Sequence, residues 1–307
     1  MKIASRFPQK IKSMPATIYS SLPGKTLKRL LVSIYFRYTQ LYSLDTMVAK
    51  AEQLQDGATF IELKNGIKYY GAQDGIASEQ DVTHDVIQKL DKLQKLEHSR
   101  TILGVLCTQY VKAEYEKCYK LQKGDIVVDA GAHIGTFTIK AAKAVGDKGR
   151  VIAIEPSENN LEFLSRNIEA NGLQNVTIVP KGVWGTKGTL KLSISCRRTT
   201  GHSFYTSEQF GTEDTEEYQE VEVDTIDNIV RQSGVGPVNF LKMDIEGAEV
   251  EAIKGMDETM SGDVKLAMEI SHIVAGHGTY QVVIPWLKNK GFQVHRDGRM
   301  VYARKNN

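Results

Sequence analysis

Cysteine is scarce in this sequence. Its three cysteines, Cys107, Cys118 and Cys196, form an odd number, with no CxxC pair and no spacing typical of a zinc site. This argues against a disulfide framework and favours a reducing compartment. Long apolar runs are also missing, since the longest near the start, residues 30–36, is far too short to span a bilayer. Because no stretch resembles a signal peptide, we expect a cytoplasmic protein.

Acidic residues are absent from the first 44 positions. Eight of the 39 Lys and Arg lie there, and none of the 37 Asp and Glu does, so the rest of the chain is mildly acidic. A basic arm on an acidic body indicates contact with something anionic, either a membrane surface or a nucleic acid. The membrane version would place the protein peripherally at the inner membrane surface. The alternative is that the arm packs on its own acidic domain.

Hydrophobic periodicity predicts the elements of the N-terminal part. Residues 25–44 carry apolar side chains at three- and four-residue steps, which predicts an amphipathic helix within a basic, largely helical arm over 1–58. Residues 59–71 alternate around Asn65-Gly66, a strong signal for a β-hairpin.

Two further amphipathic patterns, over 80–97 and 108–121, predict helices. Together with the hairpin they would form an α+β appendage over 59–121.

From residue 122 to residue 305 strands and helices alternate. Apolar strand patterns precede helical ones repeatedly, which is typical of an α/β fold with a doubly wound, mostly parallel sheet. Two patterns, "GTLKLSIS" and "QEVEVDT", predict an antiparallel addition. The last two strands flank Asp297-Gly298, and this tight turn makes the final strand antiparallel.

The turn after the first of these strands, "VDAGAHIGTF" at 128–137, lacks what two phosphate-binding loops require. A Walker loop needs GxxxxGK[ST], and neither Lys-Ser nor Lys-Thr follows Gly135. A dinucleotide turn needs GxGxxG, but this register reads Ala130, Ala132, Gly135, so methyl groups stand where a pyrophosphate would approach. A ligand with an adenosine and no phosphate, such as S-adenosylmethionine, relaxes that demand.

The ribose of such a ligand needs an acceptor at the end of the second strand. Glu155 stands there, 24 residues after Gly131. An ionised carboxylate can accept hydrogen bonds from both ribose hydroxyls. The alternative is a solvated residue or a charge at a helix N-terminus.

At this point the chain resembles a known family. The segments "GDIVVDAGAHIGTFTIKAA", "GRVIAIEPSENNLEFLSRNIEANG", "VEVDTIDNIV" and "VNFLKMDIEGAEVEAIKGM" are similar to the FkbM family of class I S-adenosylmethionine-dependent methyltransferases. The resemblance covers roughly residues 105–300, and "KMDIEGAE" at 242–249 is its most specific part. It implies a Rossmann-like, seven-stranded sheet and O-methylation of a hydroxyl on a sugar, glycan, glycolipid or similar metabolite.

The resemblance also implies a set of cofactor-binding positions. In the first motif, the Asp and the turn would face the methionine part of the cofactor, and His133 stands where relatives often have Asn. An alternative for that histidine is a side chain that caps the turn. Residues after the third strand lie near the adenine, where Val183 or Trp184 could pack, although the tryptophan could equally belong to the core. The positions are Asp129, Gly131, His133, Gly135, Glu155, Pro156 and Val183.

Acidic residues follow the fourth strand of the domain. Lys242, Asp244 and Glu246 alternate and therefore share one face as the strand ends. A hydroxyl acceptor must lose a proton, which Asp244 or Glu246 could accept, and together these acids could bind a divalent cation such as Mg²⁺. The alternative is a structural ion pair in which Lys242 neutralises both acids, with Glu249 and Glu251 solvated.

A histidine after the fifth strand, His272, is a second candidate base because its intrinsic pKa lies near neutrality. With His277 it has no third ligand at metal spacing, so no structural zinc site is expected. The long loop 196–218 is expected to shape the acceptor pocket through its polar residues. These are Arg197, Arg198, His202 and Ser203.

The sequence disfavours one other function and leaves two alternatives open. The Asn/Asp-Pro-Pro-aromatic loop of many nucleic-acid amino methyltransferases is missing, and no cysteine is placed for pyrimidine C5 methylation, so a nucleic-acid substrate is disfavoured. A nicotinamide oxidoreductase would share Glu155 but needs the missing glycines. A non-catalytic S-adenosylmethionine binder would keep Asp129 and Glu155 without turnover.

Overall fold

The computed structural model describes residues 43–72, 100–195, 201–206 and 216–305, together with Gln40. Of the helix predicted over 25–44, Gln40, Ser43 and Leu44 are described and are helical. The helix predicted over 80–97, and Cys196, Arg197 and Arg198, lie outside the described residues. Within the described part of the chain, no helix is both long and apolar enough to span a membrane.

The N-terminal strands form a small antiparallel sheet of β1 (Val48–Gln53), β2 (Ala58–Leu63) and β3 (Lys68–Ala72), in that order. The hairpin predicted around Asn65-Gly66 is confirmed, because β2 and β3 pair antiparallel and Gly66 has a φ of 80°. Strand β1 had no counterpart in the sequence prediction.

The helix predicted over 108–121 is wrong in its extent. Helix α1 (Arg100–Leu106) begins earlier and continues as a π-helix over Cys107–Lys112. Ala113, with a φ of 47°, ends it, and a single 3₁₀ turn follows over Glu114–Glu116. A left-handed backbone cannot continue a right-handed helix, so the helix stops at Ala113 although the amphipathic pattern continues past it.

The rest of the chain alternates strands and helices as predicted. In chain order the elements are β4 (Ile126–Ala130), α2 (Thr136–Val145), β5 (Arg150–Ile154), α3 (Glu158–Ala170), β6 (Val176–Val179), β7 (Gly182–Val183), β8 (Gly188–Ser195), β9 (Glu216–Asp224), α4 (Ile226–Gln232), β10 (Phe240–Met243), α5 (Glu249–Ala252), α6 (Asp257–Ser261), β11 (Lys265–Glu269), β12 (Ile273–Val274), β13 (His277–Gly278), α7 (Tyr280–Asn289), β14 (Phe292–Asp297) and β15 (Met300–Lys305).

Seven strands form the main sheet, in the order β14-β15-β11-β10-β4-β5-β6. The five strands from β11 to β6 are parallel, and β15 runs antiparallel to both of its neighbours. The predicted doubly wound, Rossmann-like α/β fold is confirmed. Strands β8 and β9 pair antiparallel as predicted, but they form a separate sheet with β7 and do not extend the main one.

Both faces of the main sheet are buried, as the apolar strand patterns predict. Along β4, Val128 belongs to a core with α4 and α7, whereas Val127 packs in a second core with α2. The two faces alternate because successive side chains of a strand point to opposite sides. Because β4, β5, β10 and β11 are parallel, their carboxyl ends lie at the same edge of the sheet.

The small N-terminal sheet packs against the main domain. Its core includes Tyr69 and, from α2 and the turn before it, Ile139 and Ile134. Asn167 of α3 donates hydrogen bonds to the carbonyl oxygens of Tyr70 and Ile134, both at 2.8 Å. The boundaries at residues 58 and 121 stay predictions.

Candidate active site

Two glycines let the turn after β4 lie close to its neighbours. Gly131 has a φ of 77°, and a Cβ there would lie 1.9 Å from the carbonyl oxygen of Asp244. Gly135 has a φ of 85°, and its Cβ would lie 2.6 Å from Cδ1 of Leu164. A side chain at Gly131 would force the turn away from the backbone after β10, whereas at Gly135 only the flexible end of Leu164 would have to move. Both positions would also acquire the strain of a positive φ.

Asp129 is fully buried at the end of β4 and both of its oxygens are engaged. Lys242 Nζ lies 3.0 Å from Oδ1, and Thr138 Oγ1 donates to Oδ2 at 2.6 Å. Lys242 also donates to the carbonyl oxygen of Gly131 at 2.5 Å. Burial opposes the charge on Lys242, but Asp129 and Asp244 outweigh it and raise the lysine pKa. The lysine therefore pairs with Asp129, an acid that the predicted structural ion pair did not include.

Glu155 is buried at the end of β5 and accepts three hydrogen bonds. The backbone N–H of His133 donates to Oε2 at 2.8 Å, while the Ser157 N–H and the Asn160 side chain donate to Oε1, both at 3.1 Å. Burial raises the pKa of Glu155, against these donors. Because a carboxylate has about four lone-pair positions, roughly one position is left for a ligand.

The remaining predicted cofactor positions differ in exposure. Burial above all, and the charge of Lys242, lower the pKa of His133 to about 3, so its imidazole is neutral at pH 7. Pro156 is half-buried. Val183 is 2% exposed and belongs to the core of the main sheet. Trp184 is half-buried, and its ring centroid lies 5.6 Å from that of Phe204 in an edge-on contact.

Asp244 follows β10 and has two oxygens in unlike environments. Tyr115 donates from its hydroxyl to Oδ2 at 2.6 Å. Oδ1 is buried and has no hydrogen-bond partner within the described residues. A buried carboxylate oxygen without a donor is costly, so Oδ1 is the part of this side chain that is available to a ligand.

The structure brings Asp244, Glu246 and His272 together. One possible ligand atom from each side chain lies within 4.8 Å of those of the other two. His272 Nε2 lies 3.4 Å from Glu246, and its Nδ1 lies 3.2 Å from Glu249. Burial opposes protonation of His272, but these two carboxylates outweigh it and raise its pKa to about 11. The imidazole is therefore protonated at neutral pH.

The loop that holds these acids is strained. Glu246 has a φ of 49°, a conformation that costs energy for a residue with a side chain. Ser203 Oγ donates to its carbonyl oxygen at 2.7 Å, and the Gly247 N–H donates to Glu249 at 3.2 Å. Glu249, which the structural alternative placed in solvent, is fully buried, whereas Glu251 pairs with Lys254 at 2.6 Å.

His202 lies beside this loop as a neutral imidazole, since burial lowers its pKa to about 4. The Ser195 N–H donates to its Nδ1 at 3.2 Å, so the ring proton belongs on Nε2. That Nε2 is buried and finds no partner in the described part of the chain. It is a donor that a ligand oxygen could satisfy.

Glu269, at the end of β11, adds a further carboxylate to this edge of the sheet. Burial first, and then the charge of Asp244, raise its pKa to about 7. Arg299 lies 2.9 Å from Glu269 and also donates to Glu114 at 2.7 Å. Sequence patterns did not identify Tyr115, Glu114 or Arg299, because contacts across so many residues leave no spacing signal.

The arrangement of this edge agrees with the match to known proteins. The model of the Methyltransferase FkbM domain matches residues 129–294, more than half of the chain. The chain belongs to this family. It is an FkbM methyltransferase, and the family implies S-adenosylmethionine as the methyl donor.

Two proteins of similar sequence are named as methyltransferases. Methyltransferase sdnD of Sordaria araneosa is 26% identical over 59% of this chain and 80% of its own length. Methyltransferase 1 of Beauveria bassiana (strain ARSEF 2860) is 24% identical over 58% of this chain and 78% of its own. A solved FkbM methyltransferase from Methylobacillus flagellatus KT is 18% identical with a TM-score of 0.42, and the match covers 89% of this chain and 60% of that one.

Proposed function

We propose that this FkbM methyltransferase transfers a methyl group from S-adenosylmethionine to a hydroxyl of a sugar, glycan, glycolipid or similar metabolite. Cofactor binding is proposed across the ends of β4 and β5, and the acceptor is proposed to meet Asp244 after β10. In α/β sheets ligands bind outside the carboxyl ends of the strands, which supports this placement.

The described residues fit the cofactor. Glu155 has roughly one lone-pair position left for a ribose hydroxyl. The turn has no side chain at Gly131 or Gly135, so its backbone can be approached closely at these two positions. Pro156 follows Glu155 directly, and Val183 packs in the same core as Ala130 and Ile154 at the ends of β4 and β5. When bound, the cofactor supplies a methyl group on a sulfonium, which is already reactive. The protein therefore has to align the acceptor and remove one proton.

The observation that carries the proposal is Oδ1 of Asp244, which is buried and has no hydrogen-bond partner among the residues that the structure describes. An acceptor hydroxyl that donates to this oxygen would have its oxygen held in place and its proton drawn toward a base. His272 is less suited to this role because its pKa of about 11 leaves it protonated at neutral pH. We propose that His272 instead holds Glu246 in position.

A polar acceptor is supported by polar groups on the loop after β10 and beside it. His202 offers an N–H at Nε2, and Glu246, with a side chain 34% exposed, offers carboxylate oxygens. Such groups match the alternating donors and acceptors of a polyhydroxylated molecule. An apolar acceptor would leave them unsatisfied at a cost in free energy.

Mg²⁺ is the second proposal for the same residues, since Asp244, Glu246 and His272 could supply three ligands. A protonated imidazole has no lone pair to offer, and Mg²⁺ prefers oxygen ligands. Metal binding would therefore have to displace the proton of His272. Activity that a chelator abolishes and Mg²⁺ restores would favour the metal, and full activity in the chelator would favour Asp244 as a base alone.

The acceptor class is tested with methyl-labelled S-adenosylmethionine and four acceptor pools, which are oligosaccharides, glycolipids, amino compounds and nucleic acids. The proposal predicts label in a carbohydrate-containing pool, in a form stable to mild alkali, as a methyl ether is. Alkali-labile label would indicate a methyl ester, and label only in nucleic acids or amines would contradict the proposal. Calorimetry with S-adenosylhomocysteine against NAD tests the oxidoreductase, and the absence of any labelled product would favour the non-catalytic binder.

We also propose that residues 1–44 bind an anionic membrane surface, supported by eight cations without an acid. The full chain should float with anionic vesicles at low salt and should remain in the bottom fraction with neutral vesicles. Failure to float at low salt, where the attraction is strongest, would count against this partner.

A further inference from the structure

Tyr115 precedes the residues that the family model matches, yet its side chain contacts the candidate base. It lies in the 3₁₀ turn Glu114–Glu116, ahead of the matched residues 129–294. The side chain is 3% exposed, and its hydroxyl donates to Asp244 Oδ2 at 2.6 Å. No other donor to this carboxylate is present within the described residues.

Contacts on both sides hold this turn in place. Arg299 donates to the carboxylate of Glu114 at 2.7 Å, and Tyr302 donates to its carbonyl oxygen at 2.6 Å. The Tyr115 ring meets Phe137 edge-on with centroids 5.5 Å apart, and Lys242 Nζ lies 5.3 Å from its centroid. A tyrosine packed in this way has little freedom to move away from Asp244.

We propose that Tyr115 is a positioning residue for methyl transfer: it holds Oδ2 of Asp244 and so presents Oδ1 to the acceptor hydroxyl. This inference rests on the proposed function, because it acts through Asp244. Burial, and then the charge of Asp244, hold the pKa of Tyr115 well above its usual value, so the phenol keeps its proton and remains a donor. The appendage is thereby part of the active site.

The test is Tyr115→Phe in the full chain, with Tyr119→Phe as the matched control. Tyr119 makes a comparable hydrogen bond, to Asp125 Oδ2 at 3.0 Å, away from the site. Loss of a bond to a charged group should lower kcat about tenfold in Tyr115→Phe. The KM for the glycan or glycolipid pool that the parent chain methylates should change little. The affinity for S-adenosylhomocysteine should also change little. The control should keep kcat.

A double-mutant cycle separates positioning from a general structural effect. If Tyr115 acts through Asp244, then Tyr115→Phe should have no further effect on kcat in an Asp244→Asn background. Equal losses in both backgrounds, or a lower Tm with unchanged kcat per folded molecule, would overturn the inference. If Asp244→Asn itself keeps full turnover, the proposed function of Asp244 fails. If only Tyr115→Phe keeps full turnover, this inference alone fails.

Discussion

Lys242 and Asp129 join the two strands that carry the site. Lys242 Nζ at the end of β10 lies 3.0 Å from Asp129 Oδ1 at the end of β4, and both side chains are almost fully buried. Because the lysine also donates to the carbonyl oxygen of Gly131, it connects the turn of the proposed cofactor site to the strand that precedes Asp244. The geometry of the proposed cofactor and acceptor sites thus depends on one buried ion pair.

Lys242→Met should be strongly destabilising, because it leaves Asp129 buried without its cation. We expect a loss of about 3–5 kcal/mol in the free energy of unfolding, measured by urea denaturation. Lys265→Met is the control, since Lys265 pairs with Asp263 at 2.7 Å but that aspartate is 55% exposed, and the variant should lose little. Similar losses in both variants would show that burial of the pair does not matter.

Gly131→Ala should disrupt the site itself. Its Cβ would lie 1.9 Å from a backbone oxygen that cannot rotate away, in addition to the strain of a positive φ. Gly124→Ala shares the strain, with a φ of 90°, but meets no atom within 4 Å. Calorimetry should therefore show lost S-adenosylhomocysteine binding for Gly131→Ala and near-normal binding for Gly124→Ala. Equal affinities would place the cofactor elsewhere.

Glu155→Gln tests the ribose contact with little change in volume. Since roughly one lone-pair position is left, we expect the loss of one charge-assisted hydrogen bond, about 1.5–3 kcal/mol of S-adenosylhomocysteine affinity. Glu158→Gln, on the exposed first turn of α3, removes a nearby charge without a ligand contact and should bind normally. Unchanged affinity in Glu155→Gln would contradict the placement.

His272 should stabilise the protein in a pH-dependent way. Its pKa rises from 6.5 to about 11 in the fold, so the imidazolium contributes fully below pH 6.5 and its contribution declines as the pH rises towards 11. His272→Gln should therefore cost more stability near pH 6 than near pH 10, measured as the difference in unfolding free energy from the parent chain. A cost that grows with pH would contradict protonation by Glu246 and Glu249.

Much of the fold could be predicted from the sequence, since strand and helix periods and the Asn65-Gly66 and Asp297-Gly298 turns are local signals. The end of the helix at Ala113 could not be predicted, because the amphipathic pattern continues past it. Such errors arise where packing decides the conformation rather than the local pattern.

The candidate site was predictable only at the strand ends. Alternation placed Asp244 and Glu246 on one edge, and parallel topology brought His272 to them. Tyr115 is 129 residues from its partner, Asp244, so no spacing connects them. The burial of Glu249 likewise depends on the strained turn before it, which the sequence alone does not reveal.

The proton-accepting role of Asp244 is tested by turnover of Asp244→Asn with methyl-labelled S-adenosylmethionine and the acceptor pool that the parent chain labels. If Asp244 accepts the proton, kcat should fall by roughly 10²–10⁴, while S-adenosylhomocysteine affinity stays within a few-fold. Full turnover per folded molecule would contradict a proton-accepting role for Asp244. A joint loss of stability and cofactor binding without loss of turnover would contradict it as well.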